Sequence, residues 1–154
     1  MATYPVAADI VVQAADGDLL ALVEVKNRHH LTADIATVLR SNLLAHGVVD
    51  RRAPYFLIVS QDVGFLWDQR SQPPDLAAPP KVQFSMVPVI QRYLPSLADG
   101  ERLGGSQVEL AAVQWLSDLA RGIENRPKEP DAALAKTDFL KMIKGGRVGM
   151  EISV

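Results

Sequence analysis

The sequence predicts an α/β domain in which a mixed central sheet of four or five strands carries helices, and three observations lead there. Two β-prone runs, Val6 to Ala15 and Asp18 to Lys26, are joined by Asp16-Gly17, the strongest short-range hairpin signal. A helix-patterned stretch then leads to a further apolar run, the order that makes a crossover between parallel strands. Beyond a proline-rich break the pattern turns helical and closes on a short alternating tail. At 154 residues, with 48% hydrophobic and 22% charged content, the chain has the size and composition of one globular domain. Residues 5–68 hold its core and residues 85–154 a mainly helical completion with a C-terminal strand.

Each element has a local reason. If Asp16 and Gly17 are the two loop residues, Ala15 faces Asp18, and counting back along the strands sets Asp9 opposite Glu24. Alternation then places Asp9, Glu24 and Lys26 on one face. Ile10, Val12, Ala21, Val23 and Val25 make a continuous core on the other. The helix from Thr32 to His46 has Thr32 as N-cap, Asp34 in its first turn, and Gly47 as its stop. Leu31, Ile35, Val38, Leu39 and Leu43 form its apolar face. Pro54 to Ser60 reads as a buried strand with Val63 to Trp67 as its neighbour, which makes Tyr55 and Trp67 core residues.

Asp68 to Lys81 carries four prolines and reads as a surface loop. A helix from Ser85 to Tyr93 admits Pro88 in its first turn. Ser106 to Gly122 is the clearest helix, with Ser106-x-x-Glu109 as a capping box. Val108, Ala112, Trp115, Leu116, Leu119 and Ile123 form its buried stripe. Glu124 to Pro130 is a polar linker, a short helix runs from a Thr137 cap to Gly145-Gly146, and Arg147 to Val154 alternates as a terminal strand.

Composition excludes several functions. With no cysteine there is no disulfide framework, thiolate metal site or cysteine nucleophile, and any metal is held by oxygen or imidazole. No window approaches the ~18 to 20 apolar residues of a membrane span, and the N-terminus lacks a signal-peptide pattern, so a soluble cytoplasmic protein is expected. The net charge of −2 provides no global field to attract a polyanion. Thr32, Ser41 and Ser60 have no base at a fixed spacing, and neither GxxxxGK[ST] nor GxGxxG occurs, which leaves serine hydrolases and nucleotide-binding loops without support.

The chemistry concentrates in the hairpin. Two carboxylates directly opposed at ~5 Å repel by roughly 3 kcal/mol at an effective dielectric of about 20, and something must offset that. Lys26 supplies part. A divalent cation supplies the rest, since Mg²⁺ is held by one or two carboxylates together with water and substrate phosphate. The plain alternative is two solvated acids with Lys26 in a surface ion pair worth little.

An acid on one strand, a turn, then acid-x-Lys on the next, here Ala8-Asp9 and Glu24-Val25-Lys26, resembles the PD-(D/E)XK phosphodiesterase superfamily, the restriction-endonuclease-like fold. The helix and buried strand that follow match the order of elements in that superfamily. Tyr55 to Asp68 looks like small bacterial members of it, so the resemblance covers residues 5–68. It implies a Mg²⁺- or Mn²⁺-dependent nuclease acting on DNA. Asp9 and Glu24 correspond to metal ligands, the Val25 carbonyl to a further ligand, and Lys26 to the residue that positions the attacking water. Arg40 falls on the following helix, where members often direct a polar or basic residue to the site, and Arg28 belongs to a basic edge beside it with His29 and His30. Many members carry another acid on a helix ahead of the first motif strand. Only eight residues precede Asp9 here, so a C-terminal helix or a second subunit supplies that acid, or the site lacks it. The residue before Asp9 is alanine where proline is usual.

His29 and His30 are adjacent and diverge on an extended chain, so they do not serve one metal without a turn between them. Arg51 and Arg52 fall at the far end of the sheet from Arg28 if the two strands are parallel. The rival to the nuclease reading is a catalytically inactive binding or regulatory module on the same scaffold. A homodimeric interaction protein, joined through the apolar helices after residue 105, is the third reading.

Overall fold

A computed structural model describes residues 8–50, 52–71, 73–95, 104–124 and 128–150. Its centre is a six-stranded mixed sheet in the order β5-β4-β3-β2-β1-β6. The strands are β1 (Ile10–Gln13), β2 (Leu19–Val25), β3 (Tyr55–Val59), β4 (Val63–Asp68), β5 (Val82–Ser85) and β6 (Arg147–Met150). β2 and β3 are parallel, joined by α1 (Ala33–Ala45), and every other neighbouring pair is antiparallel. The sheet therefore has two more strands than the lower of the two expected numbers. β5 falls between the proline-rich loop and the next helix, and its four residues are too few for alternation to register.

The first hairpin reaches the expected register by an unexpected route. Ala14 N–H donates to Asp18 C=O at 2.8 Å, and Gly17 has φ of 95°, so the loop is the three residues Ala15-Asp16-Gly17, not two. That loop pairs Gln13 with Leu19, one residue out of step. A bulge at Leu20 then restores step, and Val12 meets Ala21, Val11 meets Leu22 and Ile10 meets Val23. The bulge shows in the packing as well, because the consecutive residues Leu20 and Ala21 both enter the core on one face while Leu19 and Leu22 pack on the other.

Each face buries its own core. On one side Ile10, Val12, Ala21, Val23, Tyr55 and Leu57 pack beneath α2 (Val87–Tyr93), α3 (Gly105–Ala120), α4 (Asp131–Leu134) and α5 (Phe139–Ile143). On the other, Leu22, Phe56, Ile58, Phe65 and Trp67 pack beneath α1 and the proline-rich loop, whose Leu76 joins them and whose Ala78 carbonyl accepts from Trp67 Nε1 at 2.9 Å. β4 needs glycine at position 64, where a Cβ would stand 2.2 Å from the Phe84 ring.

Several helix boundaries and faces differ from the sequence pattern. Thr32 caps α1 as expected, its Oγ1 accepting from Ile35 N–H at 3.2 Å, and Gly47 follows with φ of 66°. Leu31 is buried and Ile35, Leu39 and Leu43 pack on the core as expected, but the most deeply buried positions of α1 are Ala36, Arg40 and Leu44, and Val38 is exposed. α3 begins at Gly105, and its cap is Gln107 Oε1 accepting from Gly104 N–H at 2.9 Å. The Ser106-x-x-Glu109 box is thus not the cap. Ile123 ends outside the buried stripe, and is exposed. α4 falls between the expected linker and the last helix, where the sequence pattern marks no element, and Thr137 sits two residues ahead of α5, where its Oγ1 accepts from Phe139 N–H at 3.1 Å. Residues 6–7 and 151–154 of the expected first and last strands lie outside the described residues.

Candidate functional site

The ends of β2 and β3 define the place. In the parallel pair Glu24 lies beside Ile58 and Val25 beside Val59, and Lys26 N–H extends the ladder by donating to Val59 C=O at 2.9 Å. Alternation turns Glu24 to the α1 side with Leu22, where it is buried. Lys26 Nζ meets Glu24 Oε2 at 3.5 Å, and the lysine side chain remains about a third exposed, at 32%.

Asp9 arrives from the other strand. It occupies a bend just before β1, and Oδ2 of its carboxylate accepts from Val25 N–H at 2.8 Å. Continuing the antiparallel register, that N–H faces the position of Ala8, so the side chain of Asp9 stands in for a backbone acceptor at the end of the ladder. The bend lets Ala8 drop into the core beneath α1. Asp9 is thus tied to the residue between Glu24 and Lys26 rather than held in a regular cross-strand pair with Glu24, which is where the expected geometry is corrected.

A fourth charged residue comes from α3. The first turn of that helix lies against the loop after β2, with the Cβ position of Gly105 3.7 Å from Asn27 Cβ. One turn on, Glu109 has its pKa raised, first by burial and then by the negative charge of Asp9. Sequence pattern marked Glu109 only as a capping residue. Its freedom from that role depends on Gln107 making the cap instead.

Arg28 is exposed on the loop, its N–H donating to Lys26 C=O at 2.9 Å. His30 adopts φ of 56°, its N–H donates to Asp62 Oδ2 at 3.2 Å, and its ring faces solvent, so the two histidines flank a turn. Asp62 belongs to the β3–β4 turn, where Ser60 Oγ donates to its Oδ1 at 3.0 Å. Arg52 lies at the start of β3, paired with Asp50 at 3.0 Å, at the end of the sheet opposite to Arg28.

Arg40 stands apart from this group. Its guanidinium is buried, with Nε donating to Gln69 Oε1 at 2.9 Å, Nη1 to the Asp75 carbonyl at 3.0 Å, and its carbon 5.4 Å from the Trp67 ring centroid. Gln69 follows the end of β4, and its N–H bonds Pro54 C=O, which places Arg40 near the start of β3. Burial lowers its pKa, and the charge of Asp75 opposes that shift. Arg40 ties α1 to the proline-rich loop, and the expectation that it faces the Asp9 site is not met.

Among the described residues no three His, Asp or Glu side chains converge into a ready-made metal site. The carboxylates of Asp9 and Glu24 and the carbonyl of Val25 are oxygen donors, the chemistry that Mg²⁺ or Mn²⁺ takes together with water. Among the described residues no helix is long and apolar enough to cross a membrane. Compared with protein-family models, with curated proteins and with solved structures, the chain matches none.

Proposed function

We propose that this chain is a metal-dependent phosphodiesterase of the restriction-endonuclease-like fold, a nuclease acting on DNA. The observation that carries the reading is the hydrogen bond from Val25 N–H to Asp9 Oδ2, which ties an acid from one strand to the segment Glu24-Val25-Lys26 on the next. Asp9, Glu24 and the Val25 carbonyl would hold Mg²⁺ or Mn²⁺, which when bound polarises a phosphoryl oxygen and lowers the pKa of a coordinated water. Lys26, about a third exposed and 3.5 Å from Glu24, carries the positive charge that would orient a water and balance charge developing on a phosphate. Arg28, exposed on the adjoining loop, would meet the phosphate backbone. The resemblance leaves open where an acid from a preceding helix would come from. Glu109 on α3 supports the C-terminal half as its source, because the charge of Asp9 reaches it.

The test is plasmid cleavage with Mg²⁺ or Mn²⁺ together with calorimetric titration of the ion. The nuclease reading expects both, with Glu24→Ala losing ion binding and cleavage. Lys26→Ala should keep ion binding while cleavage falls by about a hundredfold or more. Absence of ion binding and of Glu24-dependent cleavage removes the enzymatic reading. A second reading, a binding module without chemistry, draws on the Glu24–Lys26 ion pair, which offsets the charge of Glu24 with no cation. It expects salt-sensitive DNA binding that survives Lys26→Ala.

A further inference from the structure

We infer that the cavity between α2, α3 and the start of α4 binds a small molecule with a flat apolar body and a carboxylate, at a site that shares no residue with the one around Asp9 and Glu24. The cavity holds about 570 Å³, within the roughly 300–1,000 Å³ of small-molecule sites. Its apolar wall comes from Pro88, Val89 and Tyr93 of α2, Trp115 of α3 and Pro130 just ahead of α4. Tyr93 is fixed by its hydroxyl, which donates to Asp118 of α3. Trp115 is fixed by its indole, with Nε1 donating to Asp131 Oδ1 at 3.0 Å. Two aromatic side chains held in this way offer rigid faces to a planar ring.

The charged residues of the lining decide the sign of the ligand. Both acids are already engaged by the protein: Asp131 is 3% exposed and takes the Trp115 indole, and Glu129 Oε2 accepts from Ala133 N–H at 2.9 Å. The cations are not. Lys128 is exposed, and among the described residues its ammonium has neither an ion pair nor a hydrogen bond. The Arg92 guanidinium carbon lies over the Tyr93 ring at 5.2 Å from its centroid, and its ion pair to Asp118 is as long as 3.8 Å, which leaves most of its five donors open. Arg92 belongs to α2 and Lys128 to the segment before α4, so open positive charge lines the cavity from two walls. A carboxylate that reaches both gains charge-assisted hydrogen bonds while its ring covers Tyr93 and Trp115. With two acids beside those cations, one negative charge suits the site better than the double charge of a phosphate ester.

Titration of the full chain with naphthoate and with naphthylmethylammonium, which share a ring system and differ in charge, tests the site through the indole N–H resonances. The chain has two tryptophans, and Trp67 packs in the core on the opposite face of the sheet, where it serves as the reference. Naphthoate is expected to shift Trp115 and spare Trp67 with a dissociation constant below about 1 mM, and the ammonium to bind about tenfold more weakly. Lys128→Gln, at an exposed position that does not endanger folding, and Arg92→Gln should each raise the naphthoate dissociation constant by about fivefold or more. A Trp115 signal unmoved at about 1 mM naphthoate, an ammonium that binds as tightly, or a dissociation constant indifferent to both substitutions overturns the assignment.

Discussion

The carboxylate of Asp9 accepts a hydrogen bond from the backbone N–H of Val25 at 2.8 Å, and so closes the β1–β2 ladder with a side chain where a backbone carbonyl would otherwise serve. Structure and proposed chemistry share this one group, and the two roles separate by substitution. Asp9→Ala leaves a part-buried N–H without its acceptor and is expected to cost about 1–2 kcal/mol. Asp9→Asn keeps an acceptor oxygen and should lie within about 0.5 kcal/mol of wild type, yet lose Mn²⁺ binding. Urea unfolding beside calorimetry checks both.

Glu109 provides a test in pH. Burial, and after it the charge of Asp9, raise its pKa in the folded chain. The unfolded chain releases that proton first, so ionised Glu109 destabilises the fold above its folded pKa, and the cost fades as pH falls below the unfolded value near 4.3. Glu109→Gln should therefore raise the urea midpoint at neutral pH, with the gain vanishing toward pH 4. A gain that persists in acid would mean that Glu109 acts through packing.

Arg40 is expected to matter for stability alone. Removing its guanidinium by Arg40→Ala strips Gln69 and the Asp75 carbonyl of their donors and Trp67 of a stacked cation, at an expected cost of about 3 kcal/mol. Arg40→Lys should recover only part, because an ammonium does not reproduce the fork. In either variant that remains folded, cleavage per folded molecule should equal that of wild type.

Tyr55 is fully buried, and its hydroxyl has no hydrogen-bond partner among the described residues. Burial pushes its pKa up to about 12, against the opposing pull of Arg70, whose guanidinium carbon lies 5.4 Å from the ring centroid. An unfolded tyrosine ionises near pH 10, so wild type loses stability as pH rises from about 10 to 12. Tyr55→Phe should be neutral or stabilising by up to about 1 kcal/mol at pH 7 and gain further on wild type at pH 11, read from urea midpoints.

Much of the motif region was legible because its determinants are local. Thr32 and Gly47 bracket α1 by their own backbone preferences, and the alternation of Ile10, Val12, Ala21 and Val23 marks a core face that the packing reproduces. The start of α3 escaped for a local reason, since Gln107 caps the backbone N–H of Gly104, a residue with no capping side chain to signal it, while Ser106-x-x-Glu109 carries the usual pattern. The rest of what escaped depends on distant partners. A mid-helix arginine reads as solvated until Gln69 and Asp75, some thirty residues on, are known to close over it. The influence of the Asp9 charge on Glu109 acts between residues a hundred positions apart and leaves no periodic trace.

The Leu20 bulge and the three-residue turn behave together like a frameshift and its suppressor. Trimming the loop by one residue while the bulge remains would slide β2 by one position and send Glu24 and Lys26 to the face beneath α3, away from α1. Ironing out the bulge with the longer loop in place would do the same. Neither change is tolerable alone, so this hairpin can be shortened only by deleting at both places at once.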